Sequence, residues 1–299
     1  MRILVGKSFG IGNAVMSVPM IRALGTLGTV DVICGIGPDD AGALDVFLVA
    51  QRQGLISEVH LVNAMARTYD VAVMAIPFDG RWRNGVHFRA ERVIDGRPRP
   101  GSSQELGFSS WERHEVEYQM ENARALGFTD VTPPMSFLPM FLQENRDRDL
   151  VYLGLGFKRD DANFWAAKHW GNDRYVEFIR RCRELRPTVR FRATGNAADL
   201  AQTIIPISRE VGDMGSPVAH IGTAFAEVAR CGSYFGNDTG MMHVAASLDR
   251  PTFGLMAYEN VATKNRPWCS RWVTHEFFRD QADPRQVAER FVDFVWGVQ

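Results

Sequence analysis

The fold of this chain is indicated most clearly by residues 234–246, whose sequence is Tyr234-Phe235-Gly236-Asn237-Asp238-Thr239-Gly240-Met241-Met242-His243-Val244-Ala245-Ala246. A short apolar strand runs into a polar turn, and the alanine-rich residues after the turn favour a helix. Asp238 or Thr239 can cap that helix, which is an ordinary structural role. The amides at a helix start also attract anions, and Gly240 would let a ligand approach the backbone closely. The stretch therefore predicts a strand, a turn and a helix. The turn either only caps the helix or also binds phosphate.

The same order of strand, turn and helix recurs along the 299 residues of the chain. Apolar runs that favour buried strands lie at residues 2–5, 30–34, 71–76, 151–155 and 189–193. Buried strands that alternate with helices predict an α/β fold with parallel sheets. A chain of this length suits two domains rather than one core. Two prolines and a charged run between residues 133 and 149 form the best boundary, which predicts domains at 1–143 and 149–282.

Two further segments stand out. Residues 77–110 have weak periodicity and contain six arginines, so they predict a long loop that is either a solvated surface or a functional segment. The last helix is well marked, because Asp283 can cap it and Pro284 suits its first position.

The composition excludes several classes of protein. Basic and acidic residues number 34 and 35, so no overall field attracts nucleic acid or an acidic membrane surface. No apolar stretch approaches the roughly 20 residues that span a bilayer, and the N-terminus does not resemble a signal peptide. The four cysteines, Cys34, Cys182, Cys231 and Cys269, form no pair with metal-ligand spacing. These features predict a cytoplasmic protein with reduced cysteines and no metal site.

Two other local patterns could bind an anion. Gly10 and Gly12 follow the first strand and resemble a dinucleotide turn, but the third glycine of that pattern is replaced by Val15. Gly6-Lys7-Ser8 resembles only the end of a P-loop. Lys168 follows the strand at 151–155 and could reach the ligand crevice of a parallel sheet, although a surface lysine is the commoner occurrence.

Taken together, these segments resemble the bacterial heptosyltransferases of glycosyltransferase family nine. Residues 237–251 match the family's C-terminal turn, its histidine and its alanine-rich helix that ends before a proline. Residues 7–24 resemble its N-terminal strand, turn and helix, and Arg159-Asp160-Asp161 with Lys168-His169-Trp170 resembles its donor-binding loop. The three segments occur in family order across nearly the whole chain.

The resemblance implies a GT-B fold, in which two Rossmann-like domains with parallel sheets face a central cleft and the helix at 283–299 packs back on the first domain. It implies inverting transfer of a sugar, typically heptose from ADP-heptose, to a saccharide such as the lipopolysaccharide core, with no cofactor and no metal. The protein would lie in the cytoplasm and could contact the inner membrane peripherally. Its oligomeric state is left open. The residues expected to bind the donor diphosphate are Lys168, Asp238, Thr239, Gly240, Met241 and His243.

On the acceptor side the resemblance implies a role for Gly10 and Gly12, and Arg81, Arg83 and Arg89 could meet an anionic acceptor. The family often has an aspartate general base directly after the glycine of the first turn, where this chain has Asn13. An amide cannot take a proton. Either another group acts as the general base, with Asp160, Asp161 and His169 as candidates, or Asn13 only orients the acceptor, or sugar transfer is impaired.

Two alternatives to transfer follow. One is a nucleotide-sugar or glycan-binding relative without catalysis, which Asn13 suggests. The other is a nicotinamide-dependent oxidoreductase, which rests on Gly10, Gly12 and Asp31. The incomplete glycine pattern and the match at 237–251 make the oxidoreductase the weaker of the two.

Overall fold

The structure is a computed structural model of the chain. It describes residues 1–7, 10–35, 41–61, 67–75, 88–96, 112–130, 146–156, 168–194, 205–214, 221–258, 261–277 and 283–297. The chain divides into two compact units, Met1–Met140 and Phe141–Gln299.

The first unit is built on a five-stranded parallel sheet with the order β3-β2-β1-β4-β5. Its strands are β1 (Arg2–Gly6), β2 (Thr29–Cys34), β3 (Glu58–Leu61), β4 (Thr68–Ala75) and β5 (Arg89–Gly96). The central strands are apolar and buried, as expected of a parallel sheet that is covered on its faces.

The helices of the first unit are α1 (Ile11–Gly25), α2 (Ala41–Arg52) and α3 (Glu115–Arg124). Helix α1 begins after Gly10, whose φ of 67° lies in the left-handed region that glycine tolerates. The helix continues through Pro19. Helix α3 is capped by His114, whose Nδ1 accepts from the amide of Val116 at 3.1 Å.

Part of the arginine-rich segment is a strand and not a loop, because β5 occupies residues 89–96. Among the described strands its one partner is β4, so it lies at the edge of the described sheet, and Val93 on it is 55% exposed. An edge strand buries little apolar surface, which is why the sequence pattern did not reveal it. The prediction of an unbroken loop from residue 77 to 110 is therefore wrong for residues 89–96.

The second unit is built on a six-stranded parallel sheet with the order β11-β10-β9-β6-β7-β8. Its strands are β6 (Asp147–Gly154), β7 (Arg190–Ala193), β8 (Gly212–Met214), β9 (Cys231–Asn237), β10 (Thr252–Met256) and β11 (Trp272–Glu276). Its described helices are α4 (Asn172–Leu185), α5 (Ser208–Val211), α6 (Ile221–Arg230), α7 (Gly240–Ser247), α8 (Val261–Asn265) and α9 (Pro284–Trp296), and a 3₁₀ turn covers Ile205–Ile207.

The final helix, α9, begins as predicted, with Asp283 accepting from the amide of Arg285 at 2.9 Å. Its apolar stripe packs on the second unit, where the ring of Phe291 lies 5.5 Å from that of Phe178 and 5.3 Å from that of Phe235. Val287 and Ala288 belong to the same buried core. These side chains complete the core of the second unit, and packing of the helix on the first domain stays a prediction.

No helix in the described ranges combines the length and the apolarity that crossing a bilayer requires.

Two glycines allow the central strands of the second sheet to approach closely. Gly154 on β6 and Gly236 on β9 are register partners, and a Cβ on Gly236 would overlap the backbone of Gly154. A Cβ on Gly154 would overlap the phenol oxygen of Tyr234. That phenol donates to the carbonyl of Asn237 at 3.0 Å, so the space beside Gly154 holds a group that supports the turn after β9.

We expect Gly154→Ala to lower the free energy of unfolding by about 1–3 kcal/mol, the usual range for overpacking a buried site. Chemical denaturation followed by tryptophan fluorescence measures this. The control is Gly222→Ala on α6, where an added Cβ meets open space. Because alanine favours a helix over glycine, the control should be neutral or stabilise by about 0.5–1 kcal/mol. Equal effects of the two substitutions would contradict the packing explanation.

Candidate functional site

The turn after β9 is held in place by the buried side chain of Asn237. The phenol of Tyr175 donates to its Oδ1 at 2.6 Å, and its Nδ2 donates to the carbonyl of Leu155 at 3.3 Å. Burial raises the pKa of Tyr175 well above its ordinary value, so the phenol keeps its proton and remains a donor. Asn237 thereby ties the carboxyl end of β9 to α4 and to the end of β6. This edge of a parallel sheet is where ligands of α/β proteins bind.

A lysine and an aspartate meet directly at this turn. The Nζ of Lys168 lies 2.7 Å from Oδ2 of Asp238 and 3.0 Å from the backbone carbonyl of the same residue. Both side chains are buried, with 6% of Lys168 and 4% of Asp238 exposed. Burial alone would raise the pKa of the Asp238 carboxyl, but Lys168, with help from His243 and Asn265, holds that pKa below its ordinary value of 3.8. The carboxylate is therefore ionised, and it fixes an ammonium group at the start of α7.

Two further side chains surround the same carboxylate. Nε2 of His243, on the first turn of α7, lies 3.9 Å from Oδ1 of Asp238. Nδ2 of Asn265, at the end of α8, lies 3.5 Å from Oδ2. The sequence analysis did not single out Asn265. It follows β10, a strand that the analysis also did not predict, so no signal in the sequence connected it to residue 238.

The start of α7 is open to an anion by its geometry. Thr239 is the N-cap residue, but its side chain makes no capping hydrogen bond. The first amides of any helix lack intrahelical partners, so those of Gly240 and Met241 can serve a ligand. With the Lys168 ammonium at the same turn, the arrangement can neutralise a negatively charged group such as a diphosphate.

In the first unit, Gly10, Gly12 and Asn13 lie at the carboxyl end of β1, where α1 begins, and all three are partly buried. Lys7, one residue beyond β1, is completely buried and forms an ion pair with Glu115 at 3.2 Å. The sequence analysis noted Lys7 only as part of an incomplete P-loop and did not consider Glu115.

Of the remaining acceptor and base candidates, Arg89 and His169 belong to the described residues. Asp160, Asp161, Arg81 and Arg83 lie outside the described residues. Arg89 pairs with Thr68 at the amino end of β5, the opposite edge of the sheet from Gly10 and Gly12. His169 follows Lys168, and its ring lies 6.3 Å from that of Tyr175.

Asp31 is engaged in a structural cluster at the first sheet. Its buried carboxylate accepts from the phenol of Tyr69 at 3.0 Å and from the guanidinium of Arg2 at 3.3 Å. In a dinucleotide-binding fold the equivalent acidic residue must instead bond a ribose. The dehydrogenase hypothesis therefore loses the residue on which it depended.

Comparison with known proteins supports the resemblance. The model of glycosyltransferase family 9 (heptosyltransferase) matches residues 157–289, a range that includes Lys168, the turn at Asp238 and Asn265. The resemblance predicted from the sequence is confirmed. A comparison with curated protein sequences gave no match.

Solved structures of three glycosyltransferases share the fold. The E. coli heptosyltransferase WaaC with ADP is 15% identical, with a TM-score of 0.74 over 98% of this chain and 100% of that chain. The E. coli ADP-heptose lps heptosyltransferase II is 16% identical, with a TM-score of 0.67 over 99% and 98%. A family 9 glycosyl transferase from Veillonella parvula is 14% identical, with a TM-score of 0.65 over 100% and 93%. The chain thus has the predicted α/β architecture of the GT-B type, with two Rossmann-like units.

The ion pair at the turn predicts a pH-dependent stability. Because the pKa of Asp238 is lowered by folding, its contribution is present above 3.8, its ordinary pKa, and is lost as the pH falls through the lower folded value. We expect Asp238→Asn to cost about 3–5 kcal/mol near neutral pH, since it leaves the Lys168 ammonium buried without its carboxylate. The difference from the wild type should shrink as the pH is lowered below 3.8.

Denaturation by urea at a series of pH values measures this difference. Asp173→Asn, which removes an exposed carboxylate from the first turn of α4, is the control and should cost less than about 1 kcal/mol. A cost for Asp238→Asn that stays constant with pH would show that the carboxylate charge is not what stabilises the turn.

Proposed function

We propose that this chain is an inverting glycosyltransferase that moves a sugar, most simply heptose, from a nucleotide-diphosphate sugar such as ADP-heptose to a saccharide acceptor. The match to family 9 supports this proposal, as does the likeness to a heptosyltransferase fold solved with ADP. A lipopolysaccharide core is the acceptor class that the resemblance suggests. Such an acceptor agrees with a cytoplasmic enzyme that works at the inner face of the membrane.

The observation that carries the proposal is the position of Lys168 at the start of α7, 3.0 Å from the backbone of Asp238. A diphosphate at this turn would receive the ammonium together with the amides of Gly240 and Met241. These donors are fixed before the ligand arrives, because Asp238 and Asn237 are themselves held by buried hydrogen bonds. Preorganised donors stabilise charge that develops on a leaving group without needing to reorient.

In the proposed reaction the acceptor hydroxyl attacks the anomeric carbon on the face opposite the leaving group. The bond from that carbon to the diphosphate oxygen breaks, and the electron pair leaves with the diphosphate. Lys168 and the start of α7 stabilise the charge that accumulates there, so these residues supply the electrostatic role that a metal ion has in other transferases. Independence from metal and from cofactors remains a prediction.

The acceptor is proposed to bind beside Gly10, Gly12 and Asn13, at the carboxyl edge of the first sheet. Asn13 can orient a hydroxyl but cannot take its proton. This residue also motivates the second candidate function, a relative that binds nucleotide sugar or glycan and transfers poorly. A transfer assay with ADP-heptose separates the two, because the second candidate would bind the donor without releasing ADP in the presence of an acceptor.

We expect a nucleoside diphosphate or its sugar conjugate to protect the protein against unfolding, by about 2.7 kcal/mol at a hundredfold excess over Kd. Lys168→Met should weaken binding of ADP by roughly tenfold or more, the usual value of a hydrogen bond to a charged group. Isothermal titration calorimetry measures the Kd for ADP of the wild type and of Lys168→Met.

The control for this experiment is Arg180→Met, which removes an exposed cation on α4 that pairs with Glu210. It should leave the Kd for ADP within about twofold, because exposed ion pairs contribute little. An equal loss in both variants, or no binding of any nucleotide sugar by the wild type, would remove the basis of the proposed function.

A further inference from the structure

The first unit contains a buried ion pair that the proposed donor chemistry does not use. Nζ of Lys7 lies 3.2 Å from Oε1 of Glu115, and Nε2 of Gln119 donates to the same oxygen at 2.9 Å. Lys7 is 0% exposed and Glu115 is 3% exposed. The pair joins the carboxyl end of β1 to the first residue of α3.

A buried ion pair of this kind is weak evidence of a stabilising role. Removing two charges from water costs several kcal/mol per ion, and apolar residues of similar volume often replace buried pairs at no loss. The same two elements, β1 and α3, bury apolar side chains, among them Val5, Val116 and Met120. A charged pair at the ligand-binding edge of the sheet is therefore better explained by chemistry than by packing.

The position of Glu115 relative to Asn13 follows from the packing of two helices. Helices α1 and α3 pack together, and Nδ2 of Asn122 on α3 lies 3.6 Å from the sulfur of Met20 on α1. Met20 is seven residues after Asn13, and Asn122 is seven residues after Glu115.

Seven residues are about two helical turns. Asn13 and Met20 therefore lie on one face of α1, and Glu115 and Asn122 lie on one face of α3. Both helices begin at the carboxyl edge of the sheet, since Lys7 at the end of β1 contacts Glu115. Asn13 and Glu115 therefore lie at the same level of two adjacent helices, on the faces that meet.

We propose that Glu115 is the general base of this protein, the carboxylate that takes the role for which Asn13 is unsuited. This inference rests on the proposed function. In the step, Glu115 accepts the proton of the acceptor hydroxyl, the oxygen forms its bond to the anomeric carbon, and the diphosphate leaves with the electron pair of the broken bond. Lys7 keeps the carboxylate ionised between turnovers, and the proton passes to solvent when the product departs.

The decisive variant is Glu115→Gln, which keeps the shape of the side chain and removes its basicity. We expect kcat for transfer to fall by about 10²–10⁴-fold, the usual contribution of a general base. The decline of kcat/KM toward acid pH, which reports protonation of the base, should also disappear. The Kd for ADP should remain unchanged, because the donor site belongs to the second unit. Glu121→Gln, an exposed glutamate on the same helix that pairs with Arg113, is the control and should retain wild-type kinetics.

Two further variants distinguish a base from a structural residue. Adding Asn13→Asp to Glu115→Gln returns a carboxylate to the neighbouring position and should restore much of the lost kcat. Lys7→Met should shift the acid limb of the pH profile to higher pH, because a carboxylate without its ammonium neighbour binds a proton more readily. If Glu115→Gln alone does not fold, Lys7→Met/Glu115→Gln, which removes both charges, takes its place in the rate and rescue measurements.

Unchanged kcat in Glu115→Gln, or a loss of rate that Asn13→Asp does not relieve and that leaves the acid limb in place, would overturn the assignment of Glu115. A wild-type protein that binds ADP-heptose and transfers nothing would also overturn it, while the donor site of the proposed function would stand. Absence of donor binding in the wild type would instead remove the proposed function itself. The outcomes of the two proposals are therefore separable.

Discussion

The candidate site depends on one electrostatic constraint, the buried contact between Lys168 and Asp238. An ammonium at the end of a four-carbon side chain is normally mobile and hydrated. Here a carboxylate 2.7 Å away, itself almost inaccessible to water, fixes the ammonium at a helix start. Tyr175, Asn237 and the glycine pair of the central strands all serve to hold the turn that carries this carboxylate. Loss of any of them would act on the site through the same contact.

The two units repeat one arrangement with different residues. Each has a parallel sheet, a turn at the carboxyl end of a central strand, and a buried lysine paired with a carboxylate close to that turn. In the second unit the carboxylate belongs to the turn and the lysine approaches it, whereas in the first unit the lysine follows the strand and the carboxylate comes from α3. Under the two proposals, the pair in the second unit serves the charge of the diphosphate, and the pair in the first unit serves the proton of the acceptor hydroxyl.

The sequence was most informative where function and local structure coincide. The strand, turn and helix at 234–246 could be predicted because a short apolar run, a polar turn with a glycine and an alanine-rich helical stretch follow one another directly. Strands β10 and β11 and helix α8 could not, since their burial depends on neighbours that are distant in sequence. For the same reason Asn265 and Glu115 were missed. Each becomes relevant only through a contact with a residue 27 or 108 positions away.

The placement of α9 has a consequence for how the protein is made. Phe291 belongs to a hydrophobic core whose first members, Val151 and Leu153, lie on β6, so the interior of the second unit closes only after residue 291 has left the ribosome. The elements of the first unit end at Arg124, and they are available long before that point. Domains commonly fold in order during synthesis. The nascent protein would therefore acquire its asparagine-bearing edge early, while its lysine-bearing edge would wait until α9 has been synthesised.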